Sequence, residues 1–104
     1  MTETLTIATA QSRISSDIHE NARHICDLMG QAKAKGVRLI HFPEGALSGY
    51  VKSEIKDWRD VDWDDLAKAI DTVRNEAAKL GLWTVLGCNH RINASDRPYN
   101  SLYV

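Results

Sequence analysis

Glu44 is the residue whose setting most suggests chemistry. Pro43 precedes it and Gly45 follows it, at the end of the run VRLIHF. A proline cannot donate to a sheet ladder, so it ends the strand that Val37, Leu39, Ile40 and Phe42 predict. In an open α/β sheet, ligands bind just past the carboxyl ends of strands. A lone carboxylate there is a candidate general base; the plainer alternative is that Glu44 caps a turn or a helix start at the surface. Tyr50 closes the small-residue loop GALSGY. It is placed either to line a substrate pocket or to lie buried with its hydroxyl hydrogen-bonded.

Cys88 and His90 are the other pair to weigh as reacting groups. Two apart in an extended segment, they share a face but lie roughly 6.6 Å apart along it. Direct activation of a thiol needs roughly 2.6–3.2 Å, so Cys88 reads as a packed core side chain. Cys26, beside the apolar stripe of a helix, reads the same way. His19 and His24 are about 140° apart around a helix, and His41 and His90 fall in different strands, so the histidines form no ligand pair. Asp62, Asp64 and Asp65 gather at a helix start, where acids complement the dipole, without the Gly-spaced loop of a calcium site. No metal is expected. Neither GxGxxG nor GxxxxGK follows the first strand, which speaks against a nucleotide phosphate site, and no cofactor is expected.

These groups need elements to hold them. Residues 4–10 predict a strand, with Leu5 and Ile7 on one face and Thr6, Ala8 and Ala10 on the other. Residues 17–35 predict a helix, since Ile18, Ala22, Ile25, Met29 and Ala32 recur at steps of four and three. Asp17 with Glu20 fits a capping box at its start, and Gly36 an αL cap at its end. After the strand at 37–42, residues 51–61 show no clean period. Trp58 and Trp63 there either cover a pocket mouth or a subunit interface, or pack locally against helices. A second helix follows at 64–80, on the stripe Leu66, Ile70, Val73, Ala77 and Leu80, and Gly81 ends it. A third strand at 82–92 is apolar on both faces, as in a strand covered on both sides. Turn formers fill 93–98, and a fourth strand at 99–104 returns antiparallel to the third because the connection is short.

The order β-α-β-α-β-β makes the first three strands parallel, puts both helices on one face of a mixed sheet, and defines an α/β fold. The opposite face is expected to carry Ala8, Ala10 and alternate residues of 37–42, and to need a second layer. With 104 residues the chain is one domain. A net charge of −1 offers no footprint for nucleic acid. No apolar run approaches the roughly 20 residues of a membrane span, and MTETLTIATAQ is not a signal peptide. Two cysteines without paired spacing suit reduced thiols and a cytoplasmic location.

The Ala-Gln that ends the first strand, FPEGALSGY (Phe42-Pro43-Glu44 with Gly49-Tyr50), LWTVLGCNHR and Tyr99-Asn100-Ser101 together resemble the nitrilase, or carbon–nitrogen hydrolase, superfamily. The resemblance runs over nearly the whole chain. It implies an α-β-β-α sandwich, with residues 1–104 as a partial, N-terminal portion of the hydrolase domain. It also implies hydrolysis of a non-peptide C–N bond (amide, nitrile or carbamoyl) by a Glu–Lys–Cys mechanism, with Glu44 standing where the family keeps its glutamate. The family's lysine and nucleophilic cysteine normally lie beyond the strand that here ends at Val104, so this chain is expected to lack them. The implied partners are a small-molecule substrate and further copies of the chain in a homo-oligomer. A non-catalytic α/β interaction module that has kept the scaffold is the alternative of a different class.

Overall fold

The computed structural model describes residues 3–104. Along the chain run β1 (Ile7–Thr9), α1 (Ile18–Ala34), β2 (Leu39–His41), a 3-10 turn (Trp58–Asp60), α2 (Trp63–Leu80), β3 (Trp83–His90) and β4 (Tyr99–Tyr103). They form one mixed sheet in the order β1-β2-β3-β4, parallel across the first three strands and antiparallel between β3 and β4. Ladder hydrogen bonds reach past the short strands: Arg38 N–H donates to Thr6 O at 2.8 Å and Ala10 N–H to His41 O at 2.8 Å. The expected extent of the first two strands is therefore largely paired.

Both helices begin and end where their side chains dictate. Asp17 accepts from Glu20 N–H at 3.1 Å and Asp62 from Asp65 N–H at 3.0 Å, so each helix start has a carboxylate satisfying a free donor. Because Asp62 is the cap, α2 starts at Trp63, one residue before the expected boundary. Gly36 (φ +78°) and Gly81 (φ +62°) reverse the chain in the left-handed region. Val37 N–H then reaches Ala32 O at 3.1 Å, and Leu82 N–H reaches Ala77 O at 3.0 Å. This is the same glycine-terminated helix end used twice, and each time it delivers a buried apolar residue into the next strand.

The two helices pack against each other and on one side of the sheet. Ile25, Met29 and Ala32 of α1 and Leu66, Ala69 and Val73 of α2 meet Ile40, Phe42, Leu86 and Cys88 from the sheet. Ala8 and Ala10 pack against this core too, which corrects the expectation that they line the far side. The helix-facing side of β1 is therefore the one with the small side chains. The far side instead carries Ile7, Leu39 and Trp83, which stand in one register row across β1, β2 and β3. Ile7 is 61% exposed and Trp83 64% exposed, so β3 is not covered on both sides within this chain. Trp63 resolves to local packing, against the core and under the Arg91 guanidinium at 5.0 Å. No helix among the described residues is long and apolar enough to cross a membrane.

Candidate active site

The segment after β2 is a compact turn anchored on two sides. Phe42 N–H makes a last ladder bond to Val85 O at 2.9 Å, and Pro43 then removes the next donor. Ala46 N–H returns to Pro43 O at 3.2 Å and Gly49 N–H to Gly45 O at 2.8 Å. Gly45 (φ +65°) and Gly49 (φ +84°) supply the left-handed backbone this needs. On one side, Asn21 of α1 donates to Leu47 O at 2.9 Å and to Ser15 O at 2.8 Å, and accepts from Ser15 N–H at 2.9 Å. On the other side, Leu47 N–H donates to Gly87 O at 3.2 Å. Asn89 donates from its backbone to Ser48 Oγ at 2.9 Å and from its amide to Gly49 O at 3.2 Å. Residues 45–49 are buried as a result, although they belong to no regular element.

Glu44 projects from this buried turn with its side chain exposed. Asn100, on β4, donates its side-chain amide to Glu44 Oε1. Gly87 makes the approach possible. A methyl group on its Cα would lie 2.1 Å from Pro43 O, 2.8 Å from Gly45 N and 2.9 Å from Glu44 Cα. The turn thus lies directly on the β3 backbone, and β4 reaches over to hold the carboxylate.

Beside Asn100 a cleft of about 280 Å³ opens, walled by Tyr50, Trp58, Lys52, Arg97 and Asn89. Tyr50 is 44% exposed and lines this cleft, so it is not the buried tyrosine of the second expectation. Its carbonyl gathers the N–H groups of Ser53, Glu54 and Ile55 at 3.1–3.2 Å. Inside this tight loop Lys52 has φ +77° and is the one described non-glycine residue with positive φ, a strain of about 1–2 kcal/mol for an L residue. Two larger hollows lie elsewhere. One of about 500 Å³ runs between α2 and the β3–β4 edge, and one of about 470 Å³ lies beside the N-terminal ends of the two helices. Glu44 lines none of the three; Asn100 alone links it to the smallest.

The other candidates separate. Cys88 is fully buried, and burial pushes its thiol up to about 11. A thiol in that state is a packing group and not a nucleophile. Its Sγ donates to Asn89 O at 3.4 Å, while His90 Nδ1 meets the Tyr103 hydroxyl at 2.6 Å. Cys26 is half-buried, and burial together with the nearby Glu76 raises its thiol as well. Asp62 and Asp65 are occupied as cap and as ion-pair partner of His19 at 2.7 Å.

Sequence reasoning missed Asn21 and Gly87. A lone glycine inside a strand pattern is a known mark of close backbone approach, so Gly87 carried a readable signal. Asn21 had none: it is a polar residue among helix-stripe positions, and only its partners reveal its task.

The sequence model of the carbon–nitrogen hydrolases matches residues 6–104. A turn-borne glutamate at the carboxyl end of a parallel strand, on this sheet, suits that match, and the chain belongs to the carbon–nitrogen hydrolase family. Among solved structures it is similar to the glutamine-dependent NAD(+) synthetase of Cytophaga hutchinsonii, at 26% sequence identity and a TM-score of 0.71 over 96% of this chain. The match spans only 17% of that protein's chain. No curated protein matches the sequence. The four-stranded mixed sheet with its two helices is a partial nitrilase-type fold.

Proposed function

We propose that this chain is the glutamate-bearing N-terminal portion of a hydrolase that cleaves an amide, nitrile or carbamoyl C–N bond, with Glu44 as general base. The observation that carries this reading is the placement of Glu44. It stands on a rigid, doubly anchored turn past the carboxyl end of a parallel strand, with Asn100 holding one carboxylate oxygen. Hydrolysis of a C–N bond through a thiol needs a base that takes the thiol proton and later activates water. Glu44 has the geometry for both steps because its other oxygen carries no protein hydrogen bond among the described residues. The nucleophile comes from sequence beyond Val104, as does the lysine that stabilises the developing oxyanion, since Cys88 is sealed in the core. That same sequence supplies the layer over Ile7, Leu39 and Trp83, and in covering that face it dries the site around Glu44. Assembly into a homo-oligomer and a cytoplasmic location belong to the same reading.

The test uses the full-length protein that contains this segment. Glu44→Gln is nearly isosteric and should keep the fold while lowering turnover of a good amide substrate by about 10²-fold or more, the scale of losing a general base. Near-normal turnover in this variant would remove Glu44 from the chemistry.

A further inference from the structure

We infer that Asn89 is a specificity-determining residue, whose side-chain oxygen accepts an N–H of the scissile nitrogen and so favours amide and carbamoyl groups over nitriles. The inference rests on the hydrolase reading above and adds the residue that discriminates among its substrates. Asn89 is only 4% exposed, yet it lines the cleft beside Asn100. Its backbone N–H goes to Ser48 Oγ at 2.9 Å and its side-chain amide to Gly49 O at 3.2 Å. A carbonyl oxygen only accepts, so Nδ2 must face Gly49 and the orientation of the carboxamide is fixed. Its Oδ1 then has no hydrogen-bond partner among the described residues. The one unpartnered side-chain atom sealed from solvent among them is Ser12 Oγ, so Asn89 Oδ1 keeps contact with the outside. For a residue this buried on the cleft wall, the outside is the cleft.

Asn100 repeats the arrangement on the neighbouring strand. It stands opposite Asn89 in the β3–β4 ladder, so the two side chains leave one face of the sheet with Cβ atoms about 4.5–5.5 Å apart. Its Nδ2 is committed to Glu44 Oε1, again an oxygen that only accepts when ionised. Asn100 Oδ1 likewise has no partner among the described residues. Two acceptors therefore stand side by side, one of them on the asparagine that holds the base. A nitrogen carrying two hydrogens satisfies both, as the –NH2 of a primary amide or carbamoyl group does. A nitrile nitrogen carries none and sets its lone pair against both oxygens. A site built for an N–H donor rejects an analogue without one, because its own buried acceptor is left unpaired. Holding the Glu44 turn takes only the N–H groups of Asn89, which leaves the oxygen for recognition.

The experiment compares butanamide with butanenitrile in the full-length protein. The wild-type ratio of their kcat/KM values is the reference, so intrinsic reactivity cancels. Asn89→Leu fills similar space without an acceptor and should lower the amide-to-nitrile ratio by about tenfold, the scale of one hydrogen bond. Asn89→Ala reads the same ratio should the leucine variant not fold. Asn89→Asp loses the bond to Gly49 O but keeps an acceptor, and should hold the ratio within about threefold. An anchor that merely holds the Glu44 turn would slow both compounds alike. A ratio that Asn89→Leu leaves within about twofold, or that Asn89→Asp lowers just as far, overturns the assignment. Ligand-observed NMR on the Glu44→Gln protein separates this claim from the hydrolase reading. Butanamide should bind there, and adding Asn89→Leu should weaken it by about tenfold. Such binding without any turnover by wild type upholds Asn89 as the reader of the N–H and sinks the hydrolase reading. Turnover of both compounds at a ratio indifferent to Asn89→Leu does the reverse. Butanamide that neither binds nor turns over overturns the assignment.

Discussion

Gly87→Ala should displace the Glu44 turn while leaving every functional group of the site chemically intact. The new methyl carbon would lie 2.1 Å from Pro43 O, where such contacts essentially never fall below 3.0 Å, so the turn must retreat by about 0.9 Å. All three of the closest atoms, Pro43 O, Gly45 N and Glu44 Cα, are backbone, and no rotamer change can relieve the clash. Nor can the turn move freely, since Leu47, Ser48 and Gly49 are bonded to Gly87 and Asn89 on β3, and Leu47 also to Asn21. The cost is about 1–3 kcal/mol of overpacking, with about 1–3 kcal/mol more if a buried hydrogen bond breaks. The roughly 0.5–1 kcal/mol that alanine gains over glycine in a strand does not offset it. In thermal unfolding followed by circular dichroism, each kcal/mol should appear as a Tm loss of roughly 4–8 °C for a domain of this size. On the proposed role of Glu44 as general base, displacing it by about an ångström in the full-length protein should lower turnover by about 10²-fold. Gly30→Ala is the control, since a methyl there meets nothing within 4 Å and should stabilise α1 by about 0.5–1 kcal/mol. A Gly87→Ala protein within about 1 °C of wild type in Tm and about twofold in turnover would refute the close approach.

Three further outcomes are expected. Asn21→Ala should destabilise the chain by about 2–3 kcal/mol in urea unfolding, because it strands the buried Leu47 carbonyl and both backbone groups of Ser15; a loss under about 0.5 kcal/mol would mean that water replaces it. Cys88 binds its proton more tightly folded (about 11) than its ordinary value of 9.0, so its share of stability is intact below pH 9 and should decline, by about 2–3 kcal/mol, as pH rises to 11. Cys26 and Tyr103 shift in the same sense, so the check is whether Cys88→Ala flattens the decline relative to wild type; parallel curves would refute it. The isolated 104-residue chain, with Leu5, Ile7 and Trp83 exposed on one sheet face, should self-associate at about tens of micromolar. Sedimentation as a stable monomer would count against that, and Trp83→Asp should lower whatever association is seen.

The sequence by itself determined the elements and their order, because those depend on local physics. Asp17, Asp62, Gly36 and Gly81 mark helix ends through their own side chains or their own φ. The stripes through Ile25 and Met29 and through Leu66 and Val73 follow from the helical period alone. Pro43 ends β2 whatever surrounds it, so Glu44 was legible as a carboxylate at a strand's end. Which sheet face each strand would bury was not legible. Ala8 and Ile7 alternate by one residue, and local periodicity says that they differ without saying which one meets a helix. Only packing decided that the small residues face the helix-covered core, because interhelical and helix–sheet spacing is set by the summed volumes across the contact. The surroundings of Glu44 were likewise a tertiary outcome. Asn100, Gly87 and Asn21 are 56, 43 and 23 positions away from it in the chain, and no short-range pattern links them. They converge because parallel pairing sets β3 beside β2, the β3–β4 hairpin brings Asn100 over the turn, and α1 closes from the other side.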